Sequence, residues 1–232
     1  MQIVILCGGK ATRLYPLSKR IPKSIIKING KPFLEYQLEL LKKNGIFDMI
    51  FCTGHKGEQI EKYFGDGGRF GVKIRYSREK EKLLGTGGAL KKAESLLDEI
   101  FFVTYGDSYL PFNFKKSIDY FDKFDKLGLM TVFKNCGKYE PSNVEVKENL
   151  VKSYSKKRKT KKMKYIDYGV SIFRKKALEF LAKNQVYDLA KLHQILIRKR
   201  QLLAFESKIR FYTIGSFREL EEFENYIKKH NY

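Results

Sequence analysis

The sequence predicts an α/β protein whose mostly parallel sheet carries helices on both faces. Three observations point there. Apolar, β-rich runs of five or six residues recur along the first 133 positions, segments of helical period separate them, and turn-forming glycines punctuate them. At 232 residues with 43% hydrophobic side chains, the chain can bury a sizeable core and is not a disordered polymer.

Residues 2–7 form the first run, closed by Gly8-Gly9, and read as a buried strand. A helix is expected over 32–44, where Phe33, Tyr36, Leu40 and Leu41 fall on one face and Gly45 supplies the stop. Strands follow at 49–53, 72–76, 100–104 and 129–133, with helices at 58–64, 88–97 and 114–124. Alternation of this kind buries a parallel strand on both faces and places ligands at the strands' carboxyl ends. The loops after Leu6, Thr53 and Thr104 are therefore where chemistry is expected. Beyond residue 140 the pattern changes. Runs at 144–146, 150–154 and 165–173 read as an antiparallel insertion or extension. Helices at 175–181, 189–199 and 217–228 and short strands at 202–205 and 210–214 complete the chain. No linker or internal repeat interrupts it, so a single domain over 1–232 is expected.

The charge is +21, from 47 Lys+Arg against 26 Asp+Glu. Such a balance suits nucleic acid, an anionic membrane or phosphorylated small substrates. Seven cations fall within residues 156–164, between two strand signals and without any nucleic-acid motif, so a solvated loop is the expectation and nucleic-acid binding the alternative. No apolar run approaches the length of a membrane span, and the run at 3–6 is too short for a signal peptide. Cys7, Cys52 and Cys136 are too scattered for a disulfide framework or a zinc site. These features predict a cytoplasmic protein without a membrane or nucleic-acid partner.

The loop Cys7-Gly8-Gly9-Lys10-Ala11-Thr12-Arg13-Leu14 follows the first strand directly. Successive N–H groups in a glycine-containing loop make an anion-binding concavity, and Arg13 adds a permanent cation suited to phosphate oxygens. Lys23 follows in a stretch stiffened by Pro22.

The wider pattern resembles the sugar-phosphate nucleotidyltransferases, or nucleoside-diphosphate-sugar pyrophosphorylases. Four ordered motifs carry the resemblance: Gly-Gly-x-x-Thr-Arg-Leu from Gly8, then Pro22-Lys23 with Gly30-Lys31-Pro32, then Leu84-Gly85-Thr86-Gly87-Gly88, then Tyr105-Gly106-Asp107. It implies a Rossmann-like sheet with a mixed edge. It also implies a reaction in which a sugar 1-phosphate attacks the α-phosphorus of a nucleoside triphosphate and pyrophosphate leaves. About 1–112 is then the nucleotide-binding half and about 113–232 the sugar-phosphate half.

The resemblance assigns roles. Arg13 and Lys23 are the catalytic cations. Leu6, Gly8, Gly9, Lys10, Ala11, Thr12, Glu79, Gly85, Thr86 and Asp107 are expected at the nucleotide. Asp107 is also expected to hold Mg²⁺. Lys156, Asp167 and Gly169 are expected at the sugar phosphate. Glu79 stands where the family reads the base. An ionised carboxylate accepts from the guanine N1–H and amino group or from the cytosine amino group, while a solvated charge among residues 78–82 is the alternative. Thr53-Gly54-His55-Lys56-Gly57-Glu58-Gln59-Ile60, Tyr63-Phe64-Gly65-Asp66-Gly67 and Gly71-Val72-Lys73-Ile74 most resemble the branch that acts on heptose or hexose 1-phosphates for surface polysaccharides such as capsule or lipopolysaccharide. The expected pair is GTP with D-glycero-D-manno-heptose 1-phosphate, and CTP or UTP with another phosphorylated substrate is the alternative.

The chain departs from that pattern at several points. Ala11 replaces a glycine, Ser24 a proline, Ser155 an acidic residue before Lys156, and Thr213 the aspartate that serves as second metal ligand. A hydroxyl is a poor Mg²⁺ ligand. Either Asp107 holds the metal with phosphates and water, or Asp167 contributes, or the chain binds nucleotide with little turnover.

Overall fold

A computed structural model describes residues 1–9 and 12–230, with the backbone alone of Thr12 and Ser18. The first half runs β1 (Gln2–Leu6), β2 (Lys27–Ile28), β3 (Lys31–Pro32), α1 (Phe33–Lys43), β4 (Asp48–Thr53), α2 (Gly57–Phe64), β5 (Lys73–Arg78), α3 (Gly85–Lys92) and β6 (Ile100–Tyr105). It continues through β7 (Ser108–Tyr109), α4 (Phe114–Phe121), β8 (Gly128–Lys134), β9 (Val144–Lys147), β10 (Leu150–Tyr154), β11 (Tyr165–Arg174), α5 (Ala190–Arg198), β12 (Leu202–Ser207), β13 (Tyr212–Thr213) and α6 (Phe217–Lys229).

β1 shows why the sequence folds this way. Its five residues are all buried, and they alternate between two layers. Ile3 and Ile5 pack with Leu34 and Leu38 of α1 and Ile60 of α2, whereas Val4 and Leu6 pack with Ala89 and Leu90 of α3. Helices do cover both faces, as expected. A third cluster joins Phe33 and Tyr36 of α1 to Phe223 and Ile227 of α6.

The sheet itself corrects the expectation of a mostly parallel arrangement. Nine strands lie in the order β5-β4-β1-β6-β11-β8-β12-β10-β9. The pairs β5–β4, β4–β1 and β1–β6 are parallel, but β11 runs antiparallel to both of its neighbours. β9 pairs with β10 and also back onto β11 through Val144 and Tyr165, so five strands close into a ring and the sheet is mixed. The cause is the ten-residue strand β11, long enough to pair with β6 at one end and with β9 at the other. The strand 129–133, expected in the parallel series, belongs to this mixed half.

Smaller differences have local causes. The helix expected over 88–97 starts earlier, at Gly85, and gives way to a 3-10 turn at Glu94–Leu96. Lys175–Phe180 is a 3-10 helix, and the strand expected over 210–214 shrinks to β13, paired with β7. The hairpin β2–β3 was not foreseen. Its Asn29-Gly30 turn has φ of 49° and 81°, the two positive angles of a type I′ turn.

Candidate active site

β1, β4 and β6 run parallel, so the loops after them meet at one edge of the sheet. A cavity of about 390 Å³ opens there. Leu6, Gly8, Gly9, Arg13, Lys23, Glu79, Gly85, Thr86, Tyr105 and Asp107 are among the residues that line it. Most of the nucleotide-side residues named from the sequence therefore share one cleft. Lys10, Ala11 and the side chain of Thr12 lie outside the described residues.

One corner of the cavity is built from three loops. Lys23 Nζ, largely buried, meets Asp107 Oδ2 at 2.7 Å. The turn that carries Asp107 is pinned from α1: Gln37 Nε2 donates to Tyr105 O at 3.0 Å and to Ser108 O at 2.9 Å. Gly9 has open space where a side chain would stand, so backbone can approach a ligand there. Gly8 is glycine for a different reason. A Cβ on it would stand 3.0 Å from Gly54 N and 3.1 Å from Glu79 Oε2.

Glu79 is buried, which overturns the solvated-charge alternative. Its Oε1 accepts from Leu84 N at 2.6 Å. Its Oε2 faces the two glycines: a Cβ on Gly54 would lie 2.9 Å from it. Burial raises the carboxyl above its ordinary value, and the Leu84 N–H and the Lys92 charge oppose that shift. The sequence assigns no role of their own to Gly54, Gln37 or Tyr105. For Gly54 the available signal was its place just after a strand.

Packing explains why positions 85, 87 and 88 are glycine. Their Cβ positions would lie 2.5 Å from Tyr187 O, 3.0 Å from Asp188 O and 2.5 Å from Gln185 O respectively. Gly87 N donates to Tyr187 O at 2.8 Å, and Thr86 Oγ1 accepts from Leu189 N at 2.8 Å. Gly85 and Thr86 nevertheless line the cavity.

The residues expected at the sugar phosphate stand beside this cavity, not in its lining. Lys156 Nζ pairs with both oxygens of Asp188, at 2.8 and 2.9 Å. Asp167 Oδ1 accepts from Gly169 N at 3.1 Å, its own N–H donates to Asn143 Oδ1 at 2.8 Å, and Tyr154 hydrogen-bonds its carboxylate. Gly169 has φ of +98°, at the register break of β11, which explains a glycine there. Tyr105 joins the two groups. Desolvation pushes its phenol well above the ordinary range, and the charges of Asp167, Asp188 and Asp107 add to the shift.

Among the described residues, no three His, Cys, Asp or Glu side chains gather as a metal cage. Mg²⁺ asks for less: one or two carboxylates plus phosphate oxygens and water. Asp107 fits that demand, being part-exposed in the cavity wall. Thr213 does not. Its hydroxyl donates to Glu219, whose carboxylate also accepts from Gly215 N at 2.7 Å. Asp167, the other carboxylate considered, is engaged by Gly169 and Tyr154. Cys7 and Cys52 are buried and burial raises both thiols, so neither is a nucleophile.

A glycine loop, a lysine–carboxylate pair and a buried carboxylate thus stand at the carboxyl edge of a parallel half-sheet, the edge where open α/β proteins bind ligands. The chain belongs to the nucleotidyl transferase family, whose model matches residues 2–226. It is 40% identical over 142 residues to a D-glycero-alpha-D-manno-heptose 1-phosphate guanylyltransferase of Campylobacter jejuni, covering 57% of this chain and 63% of that protein. A protein of the same description from Aneurinibacillus thermoaerophilus is 40% identical over 121 residues, 51% of each chain. The matched stretches thus span between half and two thirds of these relatives. The crystal structure of HddC from Yersinia pseudotuberculosis complexed with GMP-PN superposes with a TM-score of 0.80 at 26% identity, over 97% of this chain and 99% of that one. No helix among the described residues is long and apolar enough to cross a membrane.

Proposed function

We propose that this protein joins a sugar 1-phosphate to a nucleoside triphosphate, giving a nucleotide sugar and pyrophosphate. GTP and D-glycero-D-manno-heptose 1-phosphate are the substrates that the guanylyltransferase relatives and the buried Glu79 favour. The observation that carries the reading is the convergence of Arg13, Lys23, Asp107 and Glu79 on one cavity.

An oxygen of the acceptor phosphate attacks the α-phosphorus. The new P–O bond forms as the bond to the β-phosphate oxygen breaks, and that electron pair leaves with pyrophosphate. The acceptor is already anionic, so no covalent nucleophile is needed. The protein must hold two polyanions together and stabilise charge at phosphorus. Arg13 stands over the departing pyrophosphate. Lys23, seated between the loops, bridges the α-phosphate and the acceptor phosphate. Asp107 would hold Mg²⁺, which would supply further neutralisation of the phosphate charge. The backbone at Gly8 and Gly9 approaches the phosphates, and Glu79 Oε2 accepts from guanine. Asp167 and Gly169 face the sugar, with Lys156 at its phosphate, so residues from about 113 onward form the acceptor half. The product suits surface-polysaccharide assembly.

The test is pyrophosphate release with GTP, CTP, UTP, ATP and dTTP against the 1-phosphates of D-glycero-D-manno-heptose, mannose and glucose. GTP with the heptose phosphate is expected to give the highest kcat/KM. Nucleotide binding without turnover in any combination would overturn the enzymatic reading in favour of a regulatory homologue.

A further inference from the structure

The run 156–164 holds seven cations, and an ion pair with Asp188 distinguishes its first residue. Lys156 gives two of its three N–H bonds to the Asp188 carboxylate, at 2.8 and 2.9 Å. Ser155, standing where an acidic residue was expected, instead caps the turn that follows: its Oγ accepts from Lys157 N at 3.2 Å and from Arg158 N at 2.8 Å. The carboxylate missing beside this lysine in sequence is thus brought to it in space, by a different element.

Asp188 is itself fixed. Its Oδ1 accepts from Ala190 N at 2.8 Å, which holds it against the start of α5. The segment around it clasps the turn before α3. Tyr187 N donates to Leu84 O at 2.8 Å, Gly87 N donates to Tyr187 O at 2.8 Å, and Leu189 N donates to Thr86 Oγ1 at 2.8 Å. Thr86 and Gly85 are walls of the nucleotide cavity. A strap therefore runs from that wall to the lysine expected at the acceptor phosphate.

We propose that Asp188 is a positioning residue that sets the Lys156 ammonium for the acceptor's phosphate and ties it to the wall of the nucleotide pocket. The inference rests on the reaction proposed above. A lysine stem carries substantial rotamer freedom, and holding its head in advance removes that freedom before the acceptor arrives. One N–H of the ammonium is left for a phosphate oxygen.

The experiment uses the full chain and the nucleotide–acceptor pair on which the wild type is most active. Asp188→Asn keeps an oxygen to cap α5 and removes the charge. It is expected to raise the acceptor KM about tenfold while the nucleotide KM and kcat stay within about threefold. In a Lys156→Ala background the same substitution is expected to add less than about twofold, because the two residues act as one unit. Asp188→Glu should recover part of the loss. An unchanged or lowered acceptor KM in Asp188→Asn overturns the proposal, since the carboxylate would then be idle or a competitor of the phosphate. So does full additivity with Lys156→Ala, or an equal loss for both substrates, which would mark the strap as support for the fold alone. A wild type without turnover on any pair overturns the reaction and this role with it, whereas an active wild type with additive losses overturns only the role.

Discussion

Glu79→Gln is the sharpest perturbation of the proposed nucleotide pocket. The side chain's orientation follows from one hydrogen bond. Leu84 N, buried with it, needs an acceptor and has Glu79 Oε1 at 2.6 Å. Leaving a buried N–H unpaired costs about 1–3 kcal/mol, so the amide of a glutamine keeps its oxygen on Leu84. Its NH₂ then takes the place of Oε2, beside Gly8 and Gly54. Guanine presents N1–H and N2–H donors to that place. They lose an acceptor and meet a donor, a penalty of about 2–3 kcal/mol, or roughly 30- to 150-fold in kcat/KM. Uracil presents a carbonyl beside its N3–H and gains a partner instead. Initial rates of pyrophosphate release, with GTP and UTP in competition at one acceptor concentration, measure the ratio directly. The expected result is a fall in the GTP/UTP preference of at least about 30-fold with little change in Tm. An unchanged preference in a folded variant would refute the base-reading role, and an equal loss with both nucleotides would reduce Glu79 to a packing residue between the two glycines.

Three further outcomes are expected. Lys23→Ala removes the cation between the phosphates, so kcat should fall roughly 10²- to 10³-fold while nucleotide affinity, read by calorimetry, changes far less. Gly85→Ala combines a φ of +70° with a Cβ 2.5 Å from Tyr187 O, so thermal unfolding should show a loss of about 2 kcal/mol or more. His193 is buried, with Nε2 3.0 Å from Ser171 Oγ, its ring against Phe173, and Asp167, Lys156 and Asp188 as the charges it feels. Burial lowers it from 6.5 to about 4, so the unfolded chain binds the proton first. Stability is therefore full above pH 6.5 and drains as pH falls toward 4, by about 3 kcal/mol in all. Denaturant midpoints across that range should show the slope, and His193→Gln should flatten it.

Much of the nucleotide side was legible because it lies in sequence-local signals. A short apolar run ending in Gly8-Gly9 announces both β1 and its loop, and Tyr105-Gly106-Asp107 closes β6 in the same way. What escaped the sequence depends on distant partners. The two glycines 87 and 88 look like a ligand turn until the segment 185–188 is seen to press on them. Gln37 looks like one more polar residue of α1 until its amide is found on the turn that bears Asp107. The antiparallel direction of β11 was expected from its sequence, but the ring of strands was not, because a strand's own residues do not say which strands flank it. β11 lies inside the main sheet between β6 and β8 and reaches β9 with its first residue. The charged run at 156–164 shows a similar limit. Its residues are mostly exposed around the buried Met163, and one ion pair, not the density of lysines, distinguishes Lys156.

The seam between β6 and β11 explains how residues from both halves of the sheet reach one edge, as the proposed two-substrate reaction requires. β6 is the last strand of the parallel series, so its carboxyl end delivers Tyr105 and Asp107 to the nucleotide cavity. β11 enters beside it in the opposite direction, with Val170 across from Thr104, so its early residues Asp167 and Gly169 arrive at that same edge. Thr104 Oγ1 donates to Gly169 O at 3.1 Å and fastens the seam where the register of β11 breaks. A wholly parallel continuation would have brought the start of the next strand to the far edge. The reversal that makes the sheet mixed is thus the feature that sets the Asp167 carboxylate within electrostatic range of Tyr105, alongside Asp107.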